Sequence, residues 1–305
     1  MSTELIRLSD SLAAAVEAAA AHVVAVHTKS GTSVSGVLVR DGIVGTAGHA
    51  IHQHEVSAVT LADGTLVPAT LLGQDAGTDL ALIRTEKPVP ASLANSPGET
   101  APRAGNLALA VGRSAEHGPL ASMGVVSLAS RSAWRTWRGG SLSSLIRLDI
   151  GLHPAMSGCL IVDAHGAAWG LGTRGLSRLG AVVIPMATVM RVTEALLTRG
   201  HVSRGYLGLG LQPVPVPEHL MKQWNLSQGR ALMVVSVEPA GPAERSGLLL
   251  GDILVSINDQ SLTDTDEVLT HLDGDSAGKD LSLALLRGGQ RTEVILTVGE
   301  RPGKE

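Results

Sequence analysis

Arg147-Leu-Asp-Ile-Gly-Leu-His-Pro-Ala-Met-Ser-Gly-Cys-Leu-Ile-Val162 sets Ser157 between small residues, after a proline and ahead of a run of apolar strand formers. A serine so placed sits on a turn that opens a strand, which makes it the candidate nucleophile of the chain. Far upstream, Val44-Gly-Thr-Ala-Gly-His49 ends an apolar strand on a histidine, and Gly77-Thr-Asp79-Leu-Ala-Leu-Ile-Arg84 starts another on an aspartate. Serine, histidine and aspartate are the nucleophile, general base and orienting carboxylate of acyl-transfer catalysis. One serine alone would say nothing.

The order of the three residues along the chain carries fold information. His, then Asp, then Ser is the order of chymotrypsin-type double barrels, whereas subtilisins and α/β-hydrolases use other orders. Short alternating runs such as Val23 to Thr28 and Ser35 to Arg40 read as strands, and Asp41-Gly42 and Asp63-Gly64 punctuate their neighbours with hairpin turn chemistry. The loop from Asn95 to Gly105 is rich in turn residues and splits the first 185 residues into halves of similar β character. Two packed barrels joined near 95–105 are expected, with His49 and Asp79 from the first and Ser157 from the second meeting in the cleft between them. Residues 1–21 read as an Ala- and Leu-rich helical segment. Pro185 opens an amphipathic helix over 186–199, with Val189, Val192, Leu196 and Leu197 on one face and Gly200 as its stop.

Composition sets the outer limits. The chain has 305 residues, 44% of them apolar, which suffices for two buried cores. Its 24 basic and 28 acidic residues give a net charge of -4 with no basic block, which argues against a nucleic-acid partner held through phosphates. The apolar stretch from Leu12 to Val26 contains Glu17 and His22, too polar and too short for a membrane span. It also lacks the basic start and cleavage site of a secretory leader. The single cysteine, Cys159, excludes an internal disulfide and leaves the compartment open, since a reduced cytoplasm and a disulfide-poor periplasm both fit. With four Trp, one Tyr and no Phe, the cores must be built from Val, Leu, Ile and Ala.

Beyond the linker helix, residues 204–300 contain Gly205-Tyr-Leu-Gly-Leu209, then Glu238-Pro-Ala-Gly-Pro-Ala-Glu-Arg-Ser-Gly-Leu248, then Gly251-Asp-Ile-Leu-Val-Ser-Ile-Asn258. These spaced elements resemble a PDZ domain of the bacterial type, a small α+β module. Together with the His, Asp and Ser motifs, the chain resembles the HtrA (Deg) family of serine endopeptidases over nearly its whole length. Asp149 and Pro154 fit the resemblance, as does the stretch from Leu107 to Ser127 that would lead into the second barrel. The fold expected is mainly β: a trypsin-like double β-barrel over 22–200 followed by a PDZ domain over 204–300.

The resemblance implies catalysis by His49, Asp79 and Ser157 with no metal and no organic cofactor. The backbone N–H groups of Ala155 and Ser157 would form the oxyanion hole. Leu171, Gly172 and Thr173 would pair with substrate backbone and wall its pocket. In the PDZ part, the backbone of Tyr206, Leu207, Gly208 and Leu209 would hold a peptide's terminal carboxylate, with Val268 and Leu272 on the opposite wall. Unfolded or damaged proteins are the implied substrates, peptide C-termini the implied PDZ ligands, and a homotrimer the implied assembly, although the aromatic residues that usually make its contacts are missing from Ser2 to Ala21. The family motif reads Gly-Asn-Ser-Gly-Gly where this chain reads Ala155-Met156-Ser157-Gly158-Cys159. Alanine disfavours positive φ, so the Ala155 N–H is expected to point away at rest, at a cost of about a hundredfold to a thousandfold in rate if it stays there. The alternative to an active protease is a weakly active or inactive scaffold that binds peptides through its PDZ domain.

Other reactive residues have plainer readings. His49, His52, His54 and Glu55 crowd one segment but are read as a solvated stretch rather than a zinc site. His153 is read as a rim residue that contacts substrate, and Cys159 as a small buried hydrophobe rather than a catalytic thiol. Trp134 and Trp137, interleaved with Arg131, Arg135 and Arg138, fall where the family places a regulatory loop, which is favoured over a base-stacking surface. No carboxylate near Ala168 to Arg174 selects a basic side chain, so a small or aliphatic residue before the cut is expected.

Overall fold

The computed structural model describes residues 2–51, 56–90, 101–224, 226–272 and 276–300. They form two compact units, Met1–Val202 and Ser203–Glu305, each with its own core.

The first unit opens with helix α1 (Ser2–Ala20) and continues into six strands, β1 (Val23–Thr28), β2 (Ser33–Arg40), β3 (Ile43–Ala47), β4 (Val56–Thr60), β5 (Leu66–Asp75) and β6 (Leu80–Thr85). They close into an antiparallel barrel of order β1-β2-β3-β6-β5-β4. The Asp41-Gly42 and Asp63-Gly64 pairs sit at its hairpin turns, where Gly42 and Gly64 take φ of 67° and 85°, a region open to glycine at little cost. Next come β7 (Leu107–Ser114), β8 (Gly118–Ser130), a small hairpin of β9 (Trp134–Arg135) and β10 (Ser141–Leu142), then β11 (Leu145–Asp149), β12 (Leu160–Val162), β13 (Ala168–Thr173) and β14 (Ala181–Pro185). All but the hairpin close a second barrel of order β11-β14-β13-β12-β7-β8. Of the loop read as the barrel junction, residues 95–100 lie outside the described residues.

Aliphatic side chains fill both barrels, Val24, Val26, Val44 and Ile83 in the first and Ala108, Ile146, Ile161 and Val183 in the second. A third cluster joins them: Val37, Leu80 and Leu82 pack with Leu109, Leu160 and Leu171, and α1 and helix α2 (Met186–Arg199) close over it through Ala15, Ala19, Val189, Val192 and Leu196. Alternation along strands and a helical stripe on α2 thus bury one continuous apolar wall, and the barrels are held in fixed relation. Gly200 ends α2 at φ 76°, with its N–H donating to Leu196 O at 3.1 Å. Arg113 adds a polar tie: its guanidinium donates to Val23 O at 2.6 Å and Ala20 O at 2.9 Å, satisfying a carbonyl at the end of α1.

In the second unit, strands Leu209–Pro215, Arg230–Val237, Ile253–Ile257, Asp280–Arg287 and Gln290–Thr297 lie in that order in one antiparallel sheet, with the short strand Gln260–Ser261 pairing Ile253–Ile257. Leu232, Leu254, Ile257, Leu283, Leu285 and Leu296 form its core. Helix Thr265–Thr270 starts at a capping box in which the Asp264 side chain accepts the Asp266 N–H, and Glu267 accepts from Asp264 N.

Candidate active site

The pairing register brings His49 and Asp79 together. Ala47 at the end of β3 faces Leu80 at the start of β6, so the residues just past one strand and just before the other are neighbours. His49 lies in a 3-10 turn, Gly48–Ala50, and its Nδ1 meets Asp79 Oδ2 at 2.7 Å while its backbone N–H donates to Asp79 Oδ1 at 2.8 Å. Asp79 is fully buried and takes a left-handed φ of 57°, a conformation an aspartate tolerates better than most residues. The turn before it is built by Asp75, whose carboxylate accepts from Gly77 N, Thr78 N and Thr78 Oγ1. A hollow of about 300 Å³ beside His49 is lined by Ile51, Ala76, Asp79 and Arg138 among others.

Two residues complete this pair. Thr173, at the end of β13, donates its hydroxyl to Asp79 Oδ2 and accepts the Gly175 N–H at 2.9 Å. Gly175 lies against the pair so closely that a Cβ there would stand 2.6 Å from His49 Nδ1, a place only glycine fits. The sequence reading assigned Thr173 to substrate; its side chain is buried and bound to Asp79. Of its neighbours, the Leu171 side chain is buried in the shared core, and Gly172 bonds through both backbone groups to Gly158 and Cys159. Gly175 carried no signal in the sequence apart from standing two residues past Thr173.

The second barrel seats the neighbour of Ser157 against the first barrel. Gly158, at φ 81°, seats against the first barrel where a Cβ would meet Ala47 N at 2.8 Å, two residues before His49. Half-buried Ser157 follows a 3-10 turn, Pro154–Met156. Its Oγ makes no hydrogen bond to His49 among the described residues, a contact that in resting enzymes often tightens only with substrate. The two N–H groups expected to hold an oxyanion are both engaged within the loop. Ser157 N–H donates to Pro154 O at 3.1 Å and Ala155 N–H to His153 Nδ1 at 3.2 Å. Ala155 O in turn accepts from the buried Ser35 hydroxyl at 2.8 Å. His153, read as a rim residue, is exposed and caps this turn.

Cys159 is fully buried, and burial above all pushes its thiol up to about 12, so it is inert as a nucleophile. His52, His54 and Glu55, weighed as zinc ligands with His49, lie outside the described residues. The β9–β10 hairpin is anchored on the turn before Asp79, where the buried Thr136 hydroxyl donates to Gly77 O at 2.6 Å. Trp137 at its tip is 73% exposed with the Arg138 guanidinium 4.7 Å over its ring.

In the second unit a groove of about 240 Å³ runs between Gly205–Leu211 and the helix Thr265–Thr270, lined by Tyr206, Leu207, Gly208, Leu209, Val268 and Leu272. All six residues picked from the sequence meet there. Leu209–Pro215 is an edge strand of the sheet, with one side open for an added strand.

Comparison with known proteins agrees with this architecture. Residues 34–171 match the family model described as a trypsin-like peptidase domain, and residues 205–298 match that of a PDZ domain. A protein of Halomonas elongata named "Probable periplasmic serine endoprotease DegP-like" is 27% identical over 275 residues, 88% of this chain and 56% of that one. A Haemophilus influenzae protein named "Probable periplasmic serine protease do/HhoA-like" is 30% identical over 85% of this chain and 56% of its own. The chain thus spans about half the length of the curated relatives it matches. Among solved structures, the HtrA-type protease AlgW with a decapeptide superposes with a TM-score of 0.77 at 26% identity, over 96% of this chain and 99% of that one. The serine endoprotease from Yersinia pestis gives 0.72 at 26% identity, over 94% and 97%. With a trypsin-like peptidase domain ahead of one PDZ domain, and HtrA proteases as structural neighbours over nearly its full length, the chain belongs to the HtrA (Deg) family.

Proposed function

We propose that this protein is an ATP-independent serine endopeptidase that cleaves unfolded or damaged proteins. The observation that carries the reading is the His49–Asp79 pair, in which a fully buried carboxylate receives the imidazole Nδ1, the His49 N–H and the Thr173 hydroxyl. Such a carboxylate fixes the tautomer that leaves Nε2 free to act as a base. Ser157 Oγ attacks the peptide carbonyl while His49 Nε2 takes its proton, and the same imidazolium then protonates the leaving amine. Water, activated by His49, hydrolyses the acyl-enzyme. Asp79 stays ionised throughout. The N–H groups of Ala155 and Ser157 stabilise the oxyanion once the 154–155 peptide has turned.

In this reading the protease part covers 22–200, and the 204–300 module takes apolar peptide C-termini between Leu209 and Leu272. Leu171, Gly172 and Thr173 lie in a strand held between β12 and β14, so substrate backbone adds to the chain just after Thr173. A homotrimer through the N-terminal helix fits the exposure of Leu5, Ile6 and Leu8, and light scattering of the purified protein checks it by mass. The periplasm is the compartment named for the relatives, and it is the one proposed here. One observation favours a second reading, a weakly active scaffold: both oxyanion donors are engaged at rest. β-Casein cleavage separates the two. The endopeptidase gives fragments that disappear in Ser157→Ala and in His49→Ala; a scaffold gives none, with or without an apolar C-terminal peptide in the groove.

A further inference from the structure

A single peptide plane carries the acceptor of one engaged donor of the nucleophile loop and is itself the other donor. The Pro154 carbonyl and the Ala155 N–H belong to the same peptide unit; the carbonyl accepts from Ser157 N–H at 3.1 Å, and the N–H donates to His153 Nδ1 at 3.2 Å. Rotating that one unit by about half a turn frees the Ser157 N–H and swings the Ala155 N–H to the side the carbonyl had occupied, the two donors an oxyanion hole requires. The rest of the loop is tied down elsewhere. Met156 N–H donates to His153 O at 2.8 Å, Cys159 N–H to Met156 O at 2.9 Å, and Ser35 holds the Ala155 carbonyl. The Met156 side chain is buried. The 154–155 peptide is therefore the element of the loop left to turn, and His153 is the only side chain bonded to it among the described residues.

We propose that His153 is a positioning residue that latches this peptide in its closed orientation, so that substrate must displace the imidazole before the oxyanion hole forms. This rests on the endopeptidase reading. The imidazole takes part through Nδ1, which accepts the Ala155 N–H while the latch is closed. Its side chain is exposed, so a rotation of its own torsions opens the latch without disturbing the core. It stands at the N-cap of the turn, at φ -63° and ψ 147°. Losing a capping acceptor at such a position shifts the closed-to-open equilibrium about fivefold.

Two measurements on the full chain decide it. In steady-state cleavage of an unfolded substrate, His153→Ala is expected to raise kcat about fivefold at unchanged KM, because the latch governs the fraction of enzyme in the open form. His153→Asn, whose Oδ1 restores the acceptor, is expected to return kcat to the wild-type value. A fall in kcat, a rise in KM, or an Asn variant that behaves like the Ala variant overturns the latch. Amide hydrogen exchange at Ala155, read by NMR, needs no activity: protection in the wild type and in His153→Asn, lost in His153→Ala, is expected. Equal exchange in all three overturns the proposal. A chain inactive in every variant removes the endopeptidase reading, and the exchange data still decide the latch.

Discussion

Thr173 and His49 share one oxygen of Asp79: the threonine hydroxyl donates to Oδ2, the same atom that the imidazole Nδ1 reaches at 2.7 Å. The carboxylate is fully buried, and its other oxygen receives the His49 backbone N–H. Each donor holds it in one rotamer and stabilises its charge. Thr173→Val keeps the shape and removes the hydroxyl, which leaves a buried carboxylate short of a partner and Gly175 N–H without its acceptor. The expected result is a fall in kcat/KM of roughly tenfold or more with KM little changed, since a lost bond to a buried charge is worth about 1.5–3 kcal/mol. Thr173→Ser keeps most of the activity. Steady-state kinetics of the two variants check it.

Ala155 is the second point of control. Turning the 154–155 peptide changes φ of Ala155 by roughly half a turn, from the ordinary negative range of a 3-10 turn into the positive region. An alanine pays about 1–2 kcal/mol there that a glycine does not. Ala155→Gly should therefore raise kcat by about 5- to 30-fold on an unfolded substrate. Unchanged kinetics would show that the residue's backbone preference does not limit turnover.

Burial of Cys159 makes a third prediction. Its thiol is driven up to about 12, chiefly by desolvation, and it is fully enclosed. Native protein should resist iodoacetamide at pH 8 and become alkylated only across the urea unfolding transition. Fast labelling of the folded protein would contradict the packing described for the second barrel.

The second unit carries a charge pair with its own pH signature. Burial alone would raise the Asp252 carboxyl, but Arg287 and the Leu249 N–H outweigh it and hold the group below its usual value. Arg287 meets it at 2.7 Å. A carboxyl depressed in the folded state contributes stability above its unfolded pKa, about 3.9, and loses that contribution as pH falls through the folded value. Arg287→Met should cost about 1.5 kcal/mol at pH 7, the low end for bonds to a charged group because 35% of the arginine side chain is exposed. In denaturant titrations the gap between variant and wild type should close as the pH falls below the unfolded value and through the lower folded one. A gap that persists there would assign the loss to packing.

Much of this architecture was legible in the sequence because its signals are local. Asp-Gly turns, strand alternation, the Pro185 to Gly200 helix limits and the spaced PDZ elements each act over a few residues, and the structure has them where they were read. The groove residues Tyr206 to Leu209, Val268 and Leu272 came from the resemblance to a PDZ domain, and they line one hollow. What escaped was set by tertiary contact. Thr173 reads as one more strand residue until β13 is laid beside Asp79, and Gly175 is one glycine among many until its distance to His49 is known. The cap made by His153 likewise depends on a rotamer, which no spacing rule fixes.

The most direct test is fluorophosphonate labelling with the adduct mapped by mass spectrometry, run with unfolded casein present. The account predicts an adduct on Ser157 in the wild type, strongly slowed in His49→Ala and absent in Ser157→Ala. An adduct at another serine, or labelling of Ser157 that is indifferent to the loss of His49, would contradict it.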